Sequence, residues 1–260
     1  MIIKVASLQL NISDEQSKEE RLEYVLGQME KARGADLMLL PEIWNIGYFS
    51  FDQYEQYSET MEGPTIKAMQ AKAAELGCYL FAGSFVEKDG GKLYNTSVLL
   101  DDSGALVGTY RKIHLFGYGS KETEILSPGK EVKTFKTRIG TLGLTTCYDL
   151  RFPELYRRMM EEGAEIFLVT SAWPFPRVGS WIALNQARAI ENVCYLISCN
   201  CSGVNRGQRF LGHSMVVDPW GVVIAGSADE ERIVKAEIDL DAVEKTRSVF
   251  PPLQDRVLKL

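Results

Sequence analysis

The sequence predicts an α/β fold, on three observations. Short apolar runs with strand character recur along the chain, stretches with apolar residues at helical spacing stand between them, and glycine or proline marks many of the junctions. The alternation is clearest between residues 139 and 199, where strand, helix, strand, helix and strand follow in turn.

Residues 2–10 read as a strand with Ile3, Val5 and Ser7 on one face. After the polar NISDEQSKEE, Leu22, Val25, Leu26 and Met29 recur at i, i+3, i+4 and i+7. They predict a helix capped by Ser13 or Asp14 and ended by Gly34. Residues 36–40 form a short strand buried on both faces that stops at Pro41-Glu42. The next helix covers 64–76, with Pro64 in its first turn and Gly77 just past its end, and feeds the apolar run CYLFAGSFV. Residues 92–100 and 105–111 are two strands joined through Asp101-Asp102-Ser103-Gly104. The stretch 116–130 has no period and the length of an active-site loop. Strands at 139–146, 165–170 and 194–199 then alternate with helices at 153–162 and 180–192. A hairpin of 212–217 and 222–225 turns at Asp218-Pro219-Trp220-Gly221, and a strand at 232–238 precedes a short helix at 240–246 and an irregular tail. With no linker, low-complexity segment or tandem repeat, residues 1–260 are expected to form one domain, helices outside and sheets inside.

Composition narrows the function classes. The 260 residues are 45% apolar and 25% charged, enough for a sizeable core. A net charge of −6 without a basic stretch argues against nucleic acid or an anionic membrane as the main partner. Five cysteines, at 78, 147, 194, 199 and 201, are an odd count without a small-domain framework, so reduced thiols in the cytoplasm are expected. MIIKVASLQL lacks the pattern of a signal peptide, and no apolar run approaches the roughly 18 residues of a membrane span.

Three residues stand out, each after a predicted strand. In GTLGLTTCYDLRFPE a buried strand delivers Cys147 to a sharp turn that opens a helix, where amide N–H groups would favour a thiolate and hold a developing oxyanion. Glu42 ends an apolar strand, where burial raises a carboxyl pKa and suits it to take a proton near neutral pH. Lys112 lies in TYRKIHLF among tyrosine, isoleucine, leucine and phenylalanine, which would desolvate its ammonium and strengthen its field. Taken singly, each has a plainer account: an inert buried thiol, an exposed loop glutamate and a surface lysine. Their combination points to chemistry.

The segments LLPEIWNIGY, YRKIHLF and TTCYDLRFPEL closely resemble the three signature regions of the nitrilase superfamily of carbon–nitrogen hydrolases. The likeness extends to VASLQL, to QARAIEN at 186–192 and to GHSMVVDPWG at 212–221, and so spans most of the chain. It implies Glu42 as general base, Lys112 as electrostatic stabiliser and Cys147 as nucleophile. It also implies a four-layer αββα sandwich that pairs into dimers through helix surfaces and the C-terminal tail, about residues 247–260. A second glutamate precedes the LSPG segment in amidase-like members; here Glu122 is assigned to that place, with Glu124 as the other choice. The mechanism that follows passes through a thioester on Cys147, its oxyanion held by Lys112 and the Tyr148 backbone N–H.

The remaining signals are weaker. His114 and His213 lie far apart and no CxxC pair exists, so neither a metal nor any other cofactor is expected. His114 reads as packing near the lysine strand and His213 as a satisfied strand residue. Cys199 and Cys201 are placed on one face of a strand as core thiols. Gly90-Gly91-Lys92 reads as a turn. Arg151 is expected to hold Asp149 or Glu154, with a substrate carboxylate as the alternative. Arg177, in the proline-rich SAWPFPRVGSW, is the better candidate for binding a substrate carboxylate bidentately.

The short chain and the WPxxR-like loop resemble the ω-amidase branch, which hydrolyses the terminal amide of small dicarboxylate monoamides such as α-ketoglutaramate. The rival readings are an amidase of N-carbamoyl or other small amides, an acyl transferase using the same thioester, and a catalytically silent binding module on the same fold.

Overall fold

The computed structural model describes residues 1–258. Two six-stranded sheets lie face to face. In the first, the strands run in the order Arg232–Asp239, Ile2–Gln9, Leu37–Leu39, Tyr79–Asp89, Lys92–Leu100 and Leu106–Arg111. In the second the order is Val223–Gly226, Met215–Val217, Tyr195–Asn200, Ile166–Ser171, Gly140–Thr146 and Thr134–Thr137. Each sheet holds three parallel strands flanked by antiparallel ones. Val5, Leu37 and Tyr79 stand in register across the first trio, and Leu142, Ile166 and Tyr195 across the second.

Helices Lys18–Glu30 and Pro64–Leu76 cover the outer face of the first sheet, where Val25, Met29, Ile66 and Met69 pack on Ala6, Leu8 and Leu80. Helices Pro153–Glu161 and Val178–Asn192 cover the second through Tyr156, Met159 and Trp181 against Phe167, Val169 and Leu196. Between the sheets Val5, Leu37, Phe81 and Leu99 meet Leu142, Leu144, Ile166 and Ile197. Each aliphatic side chain so buried contributes about 1.5–3 kcal/mol before chain entropy is counted. The result is the four-layer αββα sandwich. A further small sheet, Asn11–Ile12, Ser202–Asn205 and Gln208–Arg209, joins the two halves at one end. No helix among the described residues is long and apolar enough to cross a membrane.

Most predicted elements stand within a few residues of their place, and the departures have physical reasons. The first helix is capped by Ser17, not Ser13 or Asp14: its side chain accepts from Glu20 N while Glu20 reaches back to Ser17 N. Asp14 is engaged elsewhere, by Asn205 and the Arg206 amide. The long loop holds a short helix, Glu122–Ile125, and a polar edge strand, Thr134–Thr137, precedes the cysteine strand. His213 lies outside any strand at φ +53°, its carbonyl accepting from Trp181 Nε1. Cys201 lies beyond the Tyr195–Asn200 strand and packs with the first sheet's outer cluster, whereas Cys199 lies between the sheets.

Candidate active site

Both trios of parallel strands aim their carboxyl ends at one place, where open α/β sheets bind ligands. From the first sheet, Leu37–Leu39 runs out through Leu40 and Pro41 to Glu42. The chain then reverses at Ile43, whose φ is +42° and whose amide donates to Ser84 Oγ at 3.0 Å. Gly83 makes this reversal possible, since a Cβ there would stand 2.1 Å from the Pro41 carbonyl oxygen. From the second sheet, Gly140–Thr146 ends at Cys147, the first residue of a 3-10 turn over Cys147–Arg151.

Four side chains meet there. Lys112 Nζ lies 2.9 Å from Glu42 Oε1 and 2.9 Å from each carboxylate oxygen of Glu122, and all three side chains are fully buried. Asn95 Nδ2 bridges the two carboxylates, at 2.7 Å from Glu42 Oε1 and 3.0 Å from Glu122 Oε1. The second Glu42 oxygen accepts from the Ala172 amide at 2.9 Å, while Tyr48 and the Phe116 amide donate to Glu122. The Glu42 charge acts on the Cys147 thiol, raising its pKa. Glu122 rather than Glu124 occupies the cluster; Glu124 is exposed.

Burial pushes the Glu42 carboxyl above the ordinary carboxylate range, with Lys112 opposing and Glu122 adding to the rise. Burial alone would lower Lys112, but Glu122 and Glu42 outweigh it and hold the ammonium well above an ordinary lysine. Cys147 departs from the expectation of a thiolate stabilised by helix amides. Burial, reinforced by the Glu42 charge, pushes its thiol well above the ordinary cysteine range.

Cys147 is nonetheless the thiol that meets a pocket. It is 7% exposed while the other four cysteines are at most 1% exposed. Three of those others direct their S–H into backbone carbonyls, Cys194 to Ala164, Cys199 to Leu8 and Cys201 to Glu42. The pocket wall carries Tyr48, Phe49, Phe116, Tyr148, Trp173 and two arginines. Arg177 lies 5.0 Å over the Phe116 ring with its Nε buried and unbonded. Arg151 lies 5.0 Å over the Trp173 ring. Among the described residues neither guanidinium has a carboxylate partner. Arg151 therefore does not hold Asp149 or Glu154 as expected: Asp149 is taken by Tyr110, His114 and the Thr146 amide.

The sequence reading missed Asn95, Tyr48 and the Ala172 amide. Asn95 had a visible signal, a polar side chain inside the otherwise strand-like KLYNTSVLL. The Ala172 amide had none, because a backbone donor leaves no mark in the residue type.

Sandwich and cluster together define a class, the αββα hydrolases that bury a carboxylate, an ammonium and a thiol where the two sheets converge. Comparison with known proteins agrees. The carbon–nitrogen hydrolase family profile matches residues 4–248. A 2-oxoglutaramate amidase of Bacillus subtilis is 38% identical over 228 residues, covering 87% of this chain and 86% of the relative. One of Paenarthrobacter nicotinovorans is 35% identical over 262 residues, covering 98% and 89%. The crystal structure of Saccharomyces cerevisiae Nit3, a nitrilase superfamily member, superposes with a TM-score of 0.90 at 32% identity over 99% of this chain and 97% of that one. The chain belongs to the carbon–nitrogen hydrolase family, within the nitrilase superfamily, and is a hydrolase of carbon–nitrogen bonds other than peptide bonds.

Proposed function

We propose that this enzyme is an ω-amidase: it hydrolyses the terminal amide of a small dicarboxylate monoamide, such as α-ketoglutaramate, to acid and ammonia. The observation that carries the substrate class is Arg177, an unpaired guanidinium lining the same pocket as Cys147, with Arg151 beside it. A guanidinium binds a carboxylate through two parallel N–H···O bonds, which would leave the amide at the substrate's other end over the thiol. The names of the two amidase relatives point the same way.

In the proposed reaction Glu42 takes the thiol proton as sulfur attacks the amide carbon. Burial pushes the thiol pKa up, which favours transfer of its proton to Glu42 in step with the attack. The tetrahedral oxyanion is held by the Lys112 ammonium and the Tyr148 backbone N–H. Glu42 returns its proton to the departing nitrogen, ammonia leaves and a thioester remains. Water then loses a proton to Glu42 or Glu122 and attacks the thioester, giving the acid and restoring the thiol. Glu122 also holds Lys112 in place by accepting from it with both oxygens.

The chain is read as one hydrolase domain working in the cytoplasm as a homodimer, with tail residues 247–260 packing on the partner; 259 and 260 lie outside the described residues. An exposed apolar patch supports this, with Trp220 stacked on Phe250 at 5.8 Å and Val249 and Ile190 open to solvent. A monomer in sedimentation equilibrium would refute it.

The substrate is tested by ammonia release from α-ketoglutaramate, succinamate, glutamine, N-carbamoyl amino acids and a simple nitrile, with Cys147→Ala as control. Release from the first two, abolished in the variant, is expected. Release confined to carbamoyl compounds would reject the substrate while keeping the thiol chemistry.

A further inference from the structure

We propose that Asp149 is a positioning residue: its buried carboxylate locks the turn that presents Cys147 against the strand end that presents Lys112. The proposal rests on the reading of Cys147 as nucleophile and Lys112 as oxyanion partner, and goes beyond it in saying what sets their separation.

Asp149 is fully buried and does not line the pocket. One oxygen accepts from the Thr146 amide at 3.0 Å and the Tyr110 hydroxyl at 2.6 Å. The other accepts from the His114 amide at 3.0 Å and lies 2.7 Å from His114 Nδ1. Thr146 immediately precedes Cys147, while Tyr110 and His114 stand two residues either side of Lys112. One carboxylate therefore spans the two segments that bring sulfur and ammonium together from different sheets. The His114 ring closes the assembly by stacking on Phe152 at 3.7 Å.

The turn needs such a lock. Cys147 has φ +49°, a left-handed conformation that a side chain disfavours and that persists only where surrounding contacts over-determine it. With its partners on both oxygens Asp149 has no free lone pair directed at the thiol, so it acts through geometry and not as a base. An amide at this position would keep the shape but turn an NH₂ group toward N–H or O–H donors. At least one clamp would then be lost.

The test compares full-length Asp149→Asn, Tyr110→Phe and Cys147→Ala with wild type. The readouts are kcat and KM on whichever panel amide is hydrolysed, and the rate of iodoacetamide alkylation at Cys147 by mass spectrometry. Asp149→Asn is expected to lose about 10²-fold in kcat with KM within about threefold, as displaced reacting groups do, and alkylation should slow in parallel. Tyr110→Phe should lose about three- to tenfold in the same sense. A folded Asp149→Asn with wild-type kcat and alkylation, or a change in KM alone, would overturn the proposal. If Asp149→Asn does not fold, Tyr110→Phe decides, and wild-type behaviour there overturns it equally. Ammonia release by Cys147→Ala would instead refute the nucleophile assignment.

Discussion

Arg111 and Lys112 are neighbours in the chain, and each cation touches two carboxylates, yet they sit in opposite worlds. Arg111 points outward from its strand: it forks onto Glu87 at 2.8 and 2.9 Å, reaches Asp89 at 2.7 Å and lies 3.9 Å over the Tyr94 ring, with a third of its side chain in water. Lys112 points inward to Glu42 and Glu122, and nothing in that trio meets solvent. Consecutive strand residues face opposite sides, so one step along the backbone separates a surface ion pair from a buried one. The buried set carries the larger desolvation penalty, and hydrophobic residues could fill its place without loss of stability. What distinguishes it is the adjoining thiol and pocket. The contrast teaches that charge pairing alone does not mark a site; a buried, unequal cluster of two carboxylates and one ammonium opening on a nucleophile does.

The sharpest way to break the comparison is Lys112→Met. Removing the cation leaves Glu42 and Glu122 facing each other without water, and breaking a buried pair of this kind costs about 3–5 kcal/mol. Activity should fall by at least about 10²-fold through loss of the oxyanion donor. The deficit should depend on pH with a defined sign. Burial already raises the Glu42 pKa and Lys112 opposes that rise, so without the ammonium the variant is most stable at low pH and weakens as pH rises through the raised Glu42 value. Urea unfolding between pH 5 and pH 8 measures this. A pH-independent deficit would mean that the carboxylates never depended on the ammonium.

A gentler test leaves the cluster intact and titrates it. Glu42 acts as carboxylate, and burial holds its pKa above the ordinary range. The acid limb of kcat/KM should therefore fall at higher pH than a free glutamate, near 4.3, would set. Lys112, held well above an ordinary lysine, should contribute no alkaline limb below pH 10. An acid limb at or below the free value would show that Lys112 outweighs burial at Glu42.

What the sequence made legible was local. The Pro64–Leu76 helix was read to the residue because its boundary signals lie within it: proline in the first turn and Gly77, at φ +63°, past the end. Glu42, Lys112 and Cys147 stood at strand ends, and their meeting followed from the family resemblance, as did the four layers; periodicity showed only alternation. Illegible were features made by long-range partners. The two-residue strand Asn11–Ile12 exists only because Ser202 and Gly203 pair with it. Ser17 hid among eight other polar residues in NISDEQSKEE, and only the reciprocal bond to Glu20 singles it out. Arg151 and Asp149 are two residues apart with opposite charge, and sequence suggests a pair; the fold gives Asp149 to the Lys112 segment and leaves Arg151 in the pocket.

The smallest expected effect sharpens the comparison from the outer side. Arg111→Lys keeps the charge but replaces a planar fork with a point ammonium, losing one of the two parallel bonds to Glu87 and the stacking on Tyr94. Water already screens this pair, so stability should drop by only about 0.5–1 kcal/mol in urea unfolding. Glu87, itself buried, keeps the Thr96 hydroxyl as a donor and stays satisfied. Turnover should stay within about twofold of wild type, because the Lys112 backbone is held independently by Asn95 and Gly129. A large loss of kcat without a matching loss of stability would mean that the outward cation helps set the inward one. The one-residue boundary between structure and chemistry would then have to be moved to include Arg111.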